Sequence, residues 1–146
     1  MNNLYVAIIF IHVISAVISV GPLFVLFPVL HKMRGADSHI EKAYISVFRS
    51  VVRLIKHAGH VLVGSGILLI IYGPWSWFTP WIVLTITLMV ISIFFLARAF
   101  SPTLKKFEEP YPDKFLLVNQ LHKSTWIYII LLVLMLGLMV IKPDLW

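Results

Sequence analysis

Four of the six histidines, His12, His57, His60 and His122, fall within or at the edge of stretches apolar enough to cross a bilayer. An ionisable side chain at membrane depth is costly, and its retention marks a candidate functional site. Neutral imidazole is also among the ligands best suited to haem iron or a transition metal. His31 and His39 fall in a polar connection and read as solvated surface. There is no cysteine, so any metal must be held by imidazole, carboxylate, methionine or backbone oxygen.

The elements that must position these side chains follow from composition. The chain has 146 residues, of which 60% are hydrophobic and 12% charged. Soluble domains carry about a quarter charged residues, so this is a membrane protein. A helix needs about 20 apolar residues to cross the hydrocarbon core. Four stretches supply them, at about 4–30, 44–72, 80–100 and 119–141. The expected fold is all-α: one domain over 1–146, a transmembrane antiparallel four-helix bundle. The second helix carries an amphipathic extension with Arg49, Arg53 and Lys56. The segment Gly73-Pro74-Trp75-Ser76-Trp77-Phe78-Thr79-Pro80-Trp81 reads as a turn whose tryptophans suit the headgroup layer. Pro102 to Asp113, with its prolines and mixed charge, is expected to be an irregular loop. The start Met1-Asn2-Asn3-Leu4 lacks the basic region of a secretory signal, so the first span reads as retained.

Of the 12 basic residues, all but Lys142 lie in or beside segments 31–56 and 98–123. By the positive-inside rule those segments face the cytoplasm, which puts both termini and the tryptophan turn outside the cytoplasmic membrane. The acids Asp37, Glu41, Glu108, Glu109 and Asp113 sit in the same segments, leaving no carboxylate in the membrane core for a proton relay or sodium site. The net charge of +6 is thereby explained by topology, and no basic motif points to nucleic acid. Phosphate loops, the His-Glu-x-x-His metalloprotease motif and nucleophile elbows are absent from the sequence.

Depth follows from the rise of about 1.5 Å per helical residue. Measured from the outer ends, His12 is roughly 12 Å in, His60 roughly 18 Å and His57 roughly 22 Å. His122 is some 30 Å from that face, near the cytoplasmic boundary. The first two helices are consecutive and antiparallel, so they are expected to pack together. His12 and His60 then become the pair able to ligate one haem b iron from two sides, with His57 as the alternate. A two-haem version pairs His12 with His60 and His57 with His122. The small residues Ser15, Ala16 and Ser19, and Ala58, Gly59, Gly64, Ser65 and Gly66, leave room for a macrocycle. They equally suit close helix packing. Among the basic residues near the histidines, Arg53 is the candidate partner for a haem propionate.

Phe10-Ile11-His12, then Gly21-Pro22 and the basic boundary His31-Lys32-Met33-Arg34, resembles the first helix of small bacterial four-span proteins. These are the HemJ-type protoporphyrinogen oxidases, the copper-resistance D membrane domain and a related uncharacterised integral membrane family. Leu138-Met139-Val140-Ile141-Lys142-Pro143 looks like the close of the HemJ type, and Pro80-Trp81 looks more like the uncharacterised family. The resemblance implies a bundle that binds b-type haem with His12 as a ligand. HemJ-type enzymes carry further polar residues in the third helix, where this chain has only Thr85, Thr87, Ser92 and the terminal Arg98.

The leading expectation is therefore a haem b membrane cytochrome in electron transfer, redox or haem handling. Protoporphyrinogen oxidation, passing electrons to a quinone or a redox protein partner, is the enzyme alternative. Copper handling through imidazole with Met89, Met135 or Met139 is a third, and a structural accessory subunit of a membrane complex a fourth. Bundles of four short spans often dimerise, so a homodimer is within expectation.

Overall fold

Asn2 starts the first helix by accepting the Leu4 N–H on its side chain. The computed structural model describes residues 2–146, in five helices. They are α1 (Asn3–Met33), α2 (Ser38–Tyr72), α3 (Pro80–Ala99), α4 (Ser101–Lys106) and α5 (Lys114–Ile141). Four segments, with α3 and α4 taken together, are long and apolar enough to span a bilayer, and the chain is a multi-pass helical membrane protein.

Two boundaries differ from the sequence expectation. The second helix begins at Ser38 rather than near residue 44, because the polar residues before the span still carry an amphipathic helical pattern. Residues 101–106 form a helical turn rather than loop. Pro102 is accommodated there because its missing N–H falls in the first turn, where no intrahelical acceptor is needed. The last helix closes at Lys142 in left-handed conformation, with its N–H donating to Leu138 O at 2.9 Å and Pro143 preventing continuation.

The chain runs up and down, so both termini and the tryptophan turn meet at one end. There Trp146 Nε1 donates to Phe78 O at 3.1 Å, and the Lys142 ammonium lies over the rings of Trp75 and Trp81. The opposite, basic end is joined across elements. Arg34 donates to Asn119 Oδ1 at 2.9 Å, Lys114 pairs with Glu41 at 2.8 Å, and Arg49 pairs with Glu108.

Within the bundle α1 packs along α2, as expected of consecutive antiparallel helices, and α5 joins α1 to α3. By contrast α2 and α3 scarcely touch, leaving a seam down one side of the bundle. Buried Ser15, Ser19, Ser65, Thr85, Ser92 and Thr125 each donate to the carbonyl four residues back. Such internal pairing is what hydrocarbon surroundings require of a polar group. These hydroxyls therefore need no ligand to explain them.

Candidate functional site

Register sets the site. Tyr5 lies against Gly73 and His12 against Gly66, seven residues further along α1 and seven back along α2. The level of His12 on α2 is therefore Leu62 to Gly66, about one turn nearer the tryptophan end than His60. A methyl group at Gly66 would stand 3.2 Å from His12 Cε1, so the absence of a side chain there lets the imidazole lie on α2.

His12 Nδ1 is 3.1 Å from Leu62 O and 3.0 Å from Ser65 Oγ. A carbonyl can only accept, so Nδ1 carries the proton and donates. The Ser65 hydroxyl already gives its proton to Val61 O at 2.7 Å and is free to accept as well. In the neutral ring this leaves the lone pair on Nε2. Nε2 has no hydrogen-bond partner among the described residues, and no polar side-chain atom there is both sealed and unpaired, so Nε2 is reachable. A backbone carbonyl holding one ring nitrogen while the other stays open is the usual preparation of a metal-binding histidine.

The seam holds two cavities. The outer, of about 340 Å³, takes in His12 together with Tyr5, Thr85, Met89, Met135 and Met139, and Trp75, Trp81 and Lys142 stand at its tryptophan end. The inner, of about 250 Å³, takes in Lys56, Gly59, His60, Ser92 and Tyr128. Leu62, Val63, Met89 and Met135 border both. Small-molecule sites run from roughly 300 to 1,000 Å³, so the outer cavity is of a size for an organic guest.

The predicted site residues separate accordingly. His12 and His60 face different cavities and are not brought together across one gap. His57 is exposed, its ring centroid 6.4 Å from that of His60, and it borders neither cavity. His122 packs edge-on against Phe27 at 5.5 Å, in the α1–α5 contact, away from His57. Arg53 is exposed and borders neither cavity; the basic residues that do are Lys56 and Lys142. Of the small residues, Ser15, Ala16, Ala58 and Ser65 are buried in helix packing, Ser19, Gly59 and Gly66 border the cavities, and Gly64 is exposed. Sequence reasoning also left aside Tyr128, whose place at the inner cavity depends on the register of α5 against α3.

Fold and seam together define a four-span helical membrane protein with a histidine-bearing cleft between its second and third spans. No family model, curated protein or solved structure matches the chain.

Proposed function

We propose that the protein is a haem b-binding membrane cytochrome, acting in electron transfer, redox or haem handling, in which His12 would hold the iron through Nε2. One observation carries this reading: the imidazole is tethered through Nδ1 to Leu62 O and Ser65 Oγ, Nε2 is left unpaired and unsealed, and the residue borders a largely apolar cavity. Bound there, haem would supply one-electron redox chemistry, with the axial ligands and burial setting its potential. Because His60 borders the inner cavity, the thioethers that border the outer one, Met89, Met135 and Met139, would be the side chains to hold the iron together with His12 in place of the second histidine expected from the sequence. Lys142, which has no carboxylate partner among the described residues, would be the cation available to a propionate.

The test is an absorption spectrum of the detergent-purified protein. A Soret band and an α band that sharpens on reduction are expected; a preparation colourless even after haem supplementation overturns the reading. A specific grouping favours a second reading, Cu(I) binding. His12, Met89, Met135 and Met139 border one cavity, and imidazole with thioethers is a donor set that soft Cu(I) accepts. Colourless protein that retains one copper per chain through dialysis would select it.

The basic end is assigned to the cytoplasm, from the distribution of Lys and Arg. Because the chain has no cysteine, single replacements report cleanly. In intact cells a membrane-impermeant maleimide is expected to label Ser76→Cys, in the tryptophan turn, and to spare Ser46→Cys until the cells are lysed. The reverse pattern would invert the orientation.

A further inference from the structure

The inner cavity contains a hydroxyl that the fold does not use. Tyr128 is only 6% exposed, yet its Oη has no hydrogen-bond partner among the described residues. Among the described residues no polar side-chain atom is sealed without a partner, so that hydroxyl is reachable, and its residue borders the inner cavity. Its ring is held in place, stacked on Phe95 at 6.4 Å and edge-on to Phe100 at 6.0 Å. The neighbouring Ser92 differs, having spent its proton on Leu88 O. His60 and Lys56, one turn apart on α2, border the same cavity and likewise have no partner among the described residues. No acid borders it. Tyr128, His60 and Lys56 thus border one largely apolar cavity, the tyrosine buried and the two α2 residues exposed at its rim.

Depth selects among ligands that accept hydrogen bonds. Tyr128 is thirteen residues from the end of α5, so roughly 20 Å from the tryptophan end. His60 is roughly 18 Å and Lys56 roughly 24 Å from that end, within a hydrocarbon layer about 30 Å thick. A phospholipid phosphate or a fatty-acid carboxylate stays at the interface, shallower than Tyr128 and His60. Counted from the basic boundary of that layer, Lys56 is about 6 Å in and within reach of an interfacial head. Tyr128 and His60, about 10–12 Å in, suit a polar head that itself dissolves in hydrocarbon. An apolar tail can leave between α2 and α3, where the helices scarcely touch.

We propose that the inner cavity is a binding site for a prenylquinone: a flat ring with two neutral carbonyl acceptors and a hydrocarbon tail. Tyr128 Oη–H and the His60 N–H donate to the ring carbonyls, and Lys56 lies at the mouth toward the basic end. The assignment is independent of haem in the outer cavity and is read by binding alone.

The probe is a decyl-chain benzoquinone, titrated calorimetrically into the full chain in nanodiscs of zwitterionic lipid, with haem content recorded separately. Saturable binding of one quinone per chain is expected. Tyr128→Phe, which keeps the ring and removes the hydroxyl, should weaken it about fivefold, as loss of one neutral hydrogen bond does. Gly59→Phe should abolish it, because an added Cβ there meets nothing within 4 Å and the ring would fill the cavity. Gly64→Phe, on an exposed face of the same helix, is the folding control and should bind normally. Partition without saturation, or equal binding by the parent, Tyr128→Phe and Gly59→Phe chains, overturns the proposal. So does retention of anionic phospholipid through Tyr128 and Lys56 in a chain that takes up no quinone. A haem-free chain that binds quinone would reject the cytochrome reading and keep this one.

Discussion

Replacing His12 by alanine is expected to strip haem from the purified protein, lowering the reduced α-band absorbance per chain by about tenfold or more. The substitution removes Nε2, the unpaired nitrogen of the imidazole that borders the outer cavity. It orphans nothing else: the Ser65 hydroxyl keeps Val61 O as its acceptor at 2.7 Å. The bundle should therefore stay folded, and millimolar imidazole should restore part of the spectrum by entering the space vacated beside Gly66. Unchanged haem content in His12→Ala would place the iron elsewhere.

Ser65→Ala separates ligation from orientation. It leaves Nε2 untouched and removes one of the two acceptors of Nδ1–H. Outer partners of metal-bound histidines typically account for about 10–100-fold in affinity, and with Leu62 O still accepting, the lower end is expected here. The double variant should match His12→Ala alone, because Ser65 acts only through that ring. If copper rather than haem is bound, Met135→Leu and Met139→Leu should each weaken retention, whereas a haem with one thioether ligand responds to a single methionine.

Much of the fold is legible in the amino-acid order, and the reason is physical. Hydrocarbon surroundings demand long, unbroken helices, so the four apolar stretches announce the spans. Pro80 starts α3, and Lys142 with Pro143 ends α5, by rules local to those residues. His12 emerges as the histidine to follow for the same reason, being an isolated imidazole in a long apolar helix. Its partner is less accessible to sequence. Sliding α2 along α1 by one turn exchanges His60 for Leu62, Ser65 and Gly66, and that slide depends on the short connection from Arg34 to Asp37. Estimates counted from span ends already separated the two histidines by about 6 Å, equivalent to four residues, and the observed register preserves that offset. The seam was hidden altogether. Whether two consecutive helices touch depends on how α5 and the tryptophan turn hold them apart, and no pattern within α2 or α3 records it.

Phe100→Ala is expected to be the most destabilising single change at the basic end. The ring is completely buried, 5.9 Å from Phe48, 6.4 Å from Phe95 and 6.0 Å from Tyr128, and so ties α2, α3 and α5 together where α3 gives way to α4. In a bilayer the transfer of apolar surface from water contributes little to helix association, so tight packing becomes the main source of cohesion. What an alanine removes there is packing: a ring-sized void costs about 2 kcal/mol from its volume alone, and full Phe→Ala values in aqueous cores reach about 5. Phe100 lies roughly 30 Å from the start of α3, at the hydrocarbon boundary, so the expected loss falls between those limits. Phe94→Ala supplies the contrast, since that ring is 61% exposed on the same helix and should change stability by no more than about 0.5 kcal/mol. Both are measured as shifts in the unfolding midpoint during detergent titration. Equal shifts would mean that the aromatic cluster does not hold the helices together at the basic end. A large shift confined to Phe100→Ala, with haem content per folded chain unchanged, would show that the basic end sets the stability of a bundle whose outer cavity works independently of it.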